Sequence, residues 1–118
     1  MARDLPATQT FSVATATVTL ASHPERLEVS IDGEVDIANG ASIRELLASH
    51  LDTAHDDVVV DLSGLDYIDS AGLNVLLDLR SRLATHRRRL HLLAPPGSAA
   101  RRILILSGLA DLFGEGRA

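Results

Sequence analysis

Cysteine is absent, which excludes zinc-thiolate clusters, redox pairs, thiol nucleophiles and disulfides. Tryptophan is absent too, and Phe11, Tyr67 and Phe113 are the only other large aromatics. The core must therefore be aliphatic, drawn from a chain that is 46% hydrophobic. Lysine is also missing, so every basic residue is an arginine. No apolar run approaches the roughly 20 residues needed to cross a bilayer. Residues 1–10 lack the basic start and apolar stretch of a secretion signal. A cytoplasmic location without membrane association is expected. The net charge of −5 disfavours direct nucleic-acid binding, which ordinarily needs a basic face. A length of 118 residues suits one domain that folds without staples.

The chain divides into a flexible N-terminus (1–10), a single domain (11–113) and a short tail (114–118). Residues 11–20 are rich in Thr and Val at two-residue spacing, predicting one strand with an irregularity in its middle. Residues 26–32 alternate strictly, with Leu27, Val29 and Ile31 on one face, and predict a half-exposed strand. Gly33, Glu34, Val35 and Asp36 end it. Ile43, Leu46, Leu47 and Leu51 recur at helical spacing. The continuous run Val58, Val59, Val60 predicts a strand covered on both faces. Residues 63–69 read as a connection. A second amphipathic helix runs from Ser70 to about Leu83, with Arg87, Arg88 and Arg89 at its end. A strand over 90–94 stops at Pro95 and Pro96. Ser98 caps a third helix to about Ser107, and Gly108 suits its C′ position. Residues 109–113 dock back on the core. The order β-β-α-β-α-β-α predicts an α/β fold. Its mixed sheet has a parallel centre and an antiparallel N-terminal edge, packed against amphipathic helices.

The informative stretch runs from Val58 to Leu73. A buried strand ends, a loop follows, and a helix opens at Asp69 or Ser70. Open α/β sheets place their sites on such loops. A helix N-terminus offers unpaired N–H groups and partial positive charge, so a phosphate on Ser70 would be tolerated there. Asp69 and Ser70 are also ordinary cap residues. Gly72 costs about 1 kcal/mol in a helix relative to Ala, which suggests a packing or contact reason, such as another backbone coming close.

Three motifs stand in order: Gly33 to Asp36, Val58 to Ser63, and Asp69 to Leu73. Together they resemble the STAS family, the anti-sigma factor antagonists, over nearly the whole of 11–113. The resemblance implies a STAS-like fold and a binding function without catalysis. In that family the unphosphorylated domain binds an anti-sigma factor that is also a serine kinase, releasing a sigma factor. Phosphorylation then ends the complex, and a PP2C-type phosphatase resets it. By this resemblance Ser70 is the phosphoacceptor, and Asp36, Asp69, Ser70, Ala71 and Gly72 form the partner-binding set. Ala71 stands where many relatives carry a second Ser. The C-terminal helix of many relatives is short or missing here.

Two other functions keep their own tests. STAS domains also serve as subunits of lipid-transport ATPases and as stress-signalling scaffolds. A hydrolase with a Ser70 nucleophile would need a nearby base, and the Gly-x-Ser-x-Gly elbow is missing. His23, His50, His55, His86 and His91 show no metal-ligand spacing. Asp56, Asp57 and Asp61 read as a solvated loop entering a strand. No phosphate-binding glycine loop is present. No metal and no cofactor are expected.

Overall fold

The computed structural model describes residues 7–51 and 57–113. Six strands and three helices follow in order: β1 (Ala7–Val13), β2 (Ala16–Ser22), β3 (Arg26–Val35), α1 (Gly40–His50), β4 (Asp57–Asp61), β5 (Leu65–Ile68), α2 (Ser70–Thr85), β6 (Arg89–Leu93) and α3 (Ala99–Leu106). A 3-10 turn, Ala110–Leu112, follows. The main sheet runs β1-β2-β3-β4-β6. β1, β2 and β3 pair antiparallel, while β3, β4 and β6 pair parallel. The expected mixed sheet is therefore present.

Register explains where the core sits. Leu20, Val29, Val60 and Leu92 stand abreast across four strands, and so do Leu27, Val58 and Leu90 across three. All of these are buried. Paired residues share a face, so the alternation in each strand puts one apolar face of the sheet inward. Val75, Leu76, Leu79 and Leu83 of α2, with Ile43 and Leu47 of α1, join the same core. Each fully buried aliphatic side chain contributes about 1.5–3 kcal/mol. Leu109 and Phe113 are also buried, and the Arg101 guanidinium lies 4.5 Å from the centre of the Phe113 ring. The final segment thus docks on the core as its sequence suggests.

Four expectations are corrected. The strand expected over 11–20 is a hairpin, because Ala14 takes φ +54° and Val13 pairs with Ala16. Of the flexible N-terminus expected over 1–10, Ala7, Thr8, Gln9 and Thr10 belong to β1; residues 1–6 lie outside the described residues. The connection at 63–69 contains β5. β4 is not sealed on both faces, since Val58 and Val60 are buried while Val59 is only half-buried. The first helix opens at Gly40, ahead of its apolar stripe. The loop at 52–56, with His55 and Asp56, and the tail at 114–118 lie outside the described residues.

On the opposite face of β3, Glu28 accepts from the Arg26 guanidinium at 2.8 Å and lies 3.0 Å from His23 Nε2. The Arg26 hydrogen bond first, then His23, holds the Glu28 carboxyl below its ordinary value. A depressed carboxyl stabilises the fold above its unfolded pKa, and that stability is lost as pH falls through the folded value. Both partners are well exposed, so the effect is at most about 0.5 kcal/mol. Glu28→Gln should therefore lower the urea midpoint slightly at neutral pH and leave it unchanged in acid. A gap of equal size in acid would reject the assignment.

Candidate functional site

β3 is the element that builds the site. One edge of it pairs with β2 over Leu27 to Gly33. The other edge serves two partners in turn: β4 over Arg26 to Ser30, then β5 over Gly33 to Val35. The register shifts between Gly33 and Glu34, which lets β3 change partner. Val35 is paired with Ile68, and the Asp69 amide donates to the Val35 carbonyl at 3.2 Å. Asp36 and Asp69 therefore leave neighbouring strand ends. The resemblance groups these two residues, and the structure brings them together.

Asp69 is the N-cap of α2. Its Oδ1 accepts from the Ala71 amide at 2.9 Å and from the Gly72 amide at 3.1 Å. Two of the helix's orphan donors are thereby satisfied. Ser70 is the first helical residue and is exposed. Its hydroxyl makes no hydrogen bond to any described residue. Ala71 is half-buried and Gly72 is buried. A Cβ on Gly72 would stand 2.5 Å from Ile68 Cγ1 and 3.0 Å from the Val35 carbonyl oxygen. The close backbone at Gly72 is thus the chain's own β3. A packing reason for glycine, with another backbone close by, is what the cost of Gly72 in a helix suggested.

Asp36 shapes the neighbouring loop. Its Oδ1 accepts from the Ala38 amide at 2.9 Å, and its carbonyl accepts from the Gly40 amide at 2.8 Å. The loop is fixed from below by Asn39, which is 1% exposed and is the buried polar residue of the described core. Asn39 Nδ2 donates to the Val13 carbonyl at 3.0 Å and to the Glu34 carbonyl at 2.9 Å. Its Oδ1 accepts from the Asp36 amide at 3.0 Å. Asn39 therefore ties β1, the end of β3 and the Asp36 loop together. A Cβ on Gly40 would stand 3.4 Å from the Ala71 Cβ, so the starts of α1 and α2 are in contact.

Sequence reasoning missed three residues here. Asn39 stood directly before the helical pattern, where Asn is a favoured cap, and that signal was available. Ile37 is 88% exposed, and Tyr67 on β5 is 52% exposed. Ile37 falls outside the apolar stripe of α1, which was its only sequence signal. These apolar side chains lie on the two segments that flank Ser70. Carboxylates dominate the same end: Asp32, Glu34, Asp36, Asp61, Asp66 and Asp69 lie in the stretches 31–43 and 61–79, which carry no basic residue. Asp61 accepts from the Ser63 amide at 2.9 Å and so shapes a turn. Among the described residues, no three His, Asp or Glu side chains gather as metal ligands.

Comparison with known proteins follows this geometry. The family model described as Mlab, STAS domain, matches residues 18–114. The anti-sigma-F factor antagonist RsfB of Mycobacterium tuberculosis is 29% identical over 97 residues, covering 82% of this chain and 78% of the relative. The putative anti-sigma factor antagonist BtrV of Bordetella bronchiseptica is 34% identical over 83 residues, covering 70% and 71%. Among solved structures, an anti-sigma factor antagonist from Mycobacterium paratuberculosis superposes with a TM-score of 0.73 at 25% identity, covering 88% of each chain. The unphosphorylated form of SpoIIAA shares the fold, with a TM-score of 0.67 at 22% identity over 91% of this chain and 85% of its own. This chain belongs to the STAS domain family and groups with its anti-sigma factor antagonists.

Proposed function

We propose that this protein is a partner-switching antagonist. Its unphosphorylated form binds an anti-sigma factor serine kinase through the start of α2 and the Asp36 loop. Phosphorylation of Ser70 ends that binding, and a PP2C-type phosphatase restores it. The observation that carries this reading is the exposed Ser70 hydroxyl, bonded to no described residue, on a helix start where Asp69 already caps the Ala71 and Gly72 amides.

That geometry supports an interface switch without refolding. A phosphate on Ser70 adds about −1.5 to −2 charges. The Ala71 and Gly72 amides already serve the Asp69 carboxylate, so the new dianion gains no ready partner within the fold. It also stands among carboxylates. A partner covering Ile37 and Tyr67 would bury the same spot, and a dianion there must shed water without a counter-charge. Binding is lost while the fold stays unchanged. Catalysis has no support in this arrangement, because no histidine lies on the segments that bring Asp36 and Ser70 together.

The test is a reaction of the purified chain with its co-purified kinase and ATP, followed by phosphosite mapping. Label should appear on Ser70, and Ser70→Ala should remove it while keeping partner binding. Ser70→Glu should weaken binding by about tenfold or more, equal to about 1.4 kcal/mol. Label persisting on Ser70→Ala would reject the site. Recovery of a transporter ATPase in place of a kinase would favour an assembly role instead.

A further inference from the structure

Residues 5–24 contain no Asp, Glu, Lys or Arg, the longest such stretch of a chain whose net charge is −5. They include β1, the turn at Ala14 and Thr15, and β2. β1 is also an edge of the sheet: among the described residues it pairs with β2 alone. An open strand edge invites a further strand, and natural sheets blunt it with charge, proline, a bulge or a covering segment. The far edge follows that rule, since β6 begins with Arg89 and lies against the 3-10 turn. β1 has none of these devices. Its seven residues carry no charge and no proline, and they pair with β2 in unbroken register from Ala7 to Val13. Asn39 and His50 meet β1 only at Val13, Gln9 and Phe11, which share the core face of the sheet.

The backbone of β1 carries a second observation. Val13 and Ala16 close a two-residue turn, and antiparallel pairs alternate between bonded and unbonded. Thr8, Thr10 and Ser12 therefore turn their amides and carbonyls away from β2. All three residues are exposed, and no described residue bonds these backbone groups. The outward groups match their own copy. Two β1 strands set antiparallel about a two-fold axis at Thr10 pair Thr10 with Thr10 and Thr8 with Ser12, making about six backbone hydrogen bonds. Hydroxyl side chains then meet on one face. On the other, Gln9 of each copy stands opposite Phe11 and covers more of a ring that is only half-buried.

We propose that β1 pairs with β1 of a second copy of this chain, joining two sheets into one. No charged side chain enters the pairing, so two chains of like net charge can meet there. A charged segment of another protein fits less well, because β1 offers it no counter-charge. Asn39 ties the Val13 carbonyl to the Asp36 loop. The two Val13 residues stand about 20 Å apart along the paired strands, so the two Asp36 loops lie at opposite ends of the pairing. Association through β1 does not require a modified Ser70.

Sedimentation velocity of the full chain at rising concentration tests the proposal. The wild type should pass from monomer to dimer. Thr10→Lys sets two ammonium groups face to face at the axis and should raise the dimer dissociation constant about tenfold or more. Thr10→Pro removes an outward amide while sparing the bonds to β2, and should do the same. Should Thr10→Pro fail to fold, Thr10→Lys decides, because its position is exposed. Ser70→Glu should dimerise as the wild type does, and so should Leu106→Asp, which changes the exposed apolar side chain at the end of α3. A wild type that stays monomeric at every concentration overturns the proposal. A dimer that persists unweakened in folded Thr10→Lys, or is lost in Leu106→Asp, overturns it as well. So does growth beyond the dimer, since the two-fold pairing uses up both β1 edges.

Discussion

Asn39→Leu should destabilise the protein by about 3 kcal/mol and release the Asp36 loop. The buried amide serves three backbone groups: the Val13 and Glu34 carbonyls and the Asp36 amide. Leucine fills a similar volume but removes all three bonds from a position that is 1% exposed, leaving the Glu34 carbonyl only the 3.4 Å bond from the Thr15 hydroxyl. Each orphaned buried group costs about 1–3 kcal/mol. Burying a leucine side chain offsets about 1.5–3 kcal/mol of that sum. The net loss is a large fraction of a typical 5–15 kcal/mol total. Urea unfolding measures it directly. The Asp36 amide should also exchange its hydrogen far faster in the variant, because its acceptor is gone. Ser70→Ala supplies the contrast: its hydroxyl bonds no described residue, so stability should stay within about 0.5 kcal/mol. The two variants would thus separate the residue that holds the loop from the one proposed to switch it. A loss below about 1 kcal/mol for Asn39→Leu would show that the three bonds do not hold the loop.

How much of this was legible depends on the range of each interaction. β3 was plain, because Leu27, Val29 and Ile31 alternate and one face of the sheet is buried. The start of α2 was plain, because the cap at Asp69 is made within three residues. The β1–β2 hairpin was hidden, since its turn at Ala14 and Thr15 contains no Gly, Asn, Asp or Pro. β5 was hidden because four residues, buried only at Leu65 and Ile68, present no period. Val58, Val59 and Val60 misled, because β-branched residues suit a strand whether one face or both are covered. Asn39 could be read as a cap, but its carbonyl partner Val13 lies 26 residues away. Gly72 showed its cost but not its cause. The cause is the Ile68 side chain together with the Val35 carbonyl of a strand that meets α2 only in three dimensions.

Gly33→Ala should cost about 4 kcal/mol, more than any other single methyl group added to this site. Two separate penalties act at this residue. Its φ of +96° lies where an L side chain is strained, worth about 1–2 kcal/mol. A Cβ there would also fall on the Thr15 carbonyl oxygen, well inside contact distance, with Ala16 Cα next at 3.3 Å. Both are backbone atoms of the hairpin and cannot swing aside, so overpacking adds about 1–3 kcal/mol. Gly97→Ala separates the two terms. Gly97 has φ +84° but nothing within 4 Å of its would-be Cβ, so only the conformational penalty should appear. The difference between the two urea-derived losses measures the clash alone. Gly33 also donates its amide to the Gly64 carbonyl at 2.9 Å and sits where β3 passes from β4 to β5. Relief of the clash must therefore move either the hairpin or the β5 pairing that sets Asp36 beside Asp69. On this reasoning Gly33→Ala weakens partner binding even at temperatures where it remains folded, while Gly97→Ala does not. Equal losses for the two variants would mean that the hairpin yields freely and that Gly33 does not set the site.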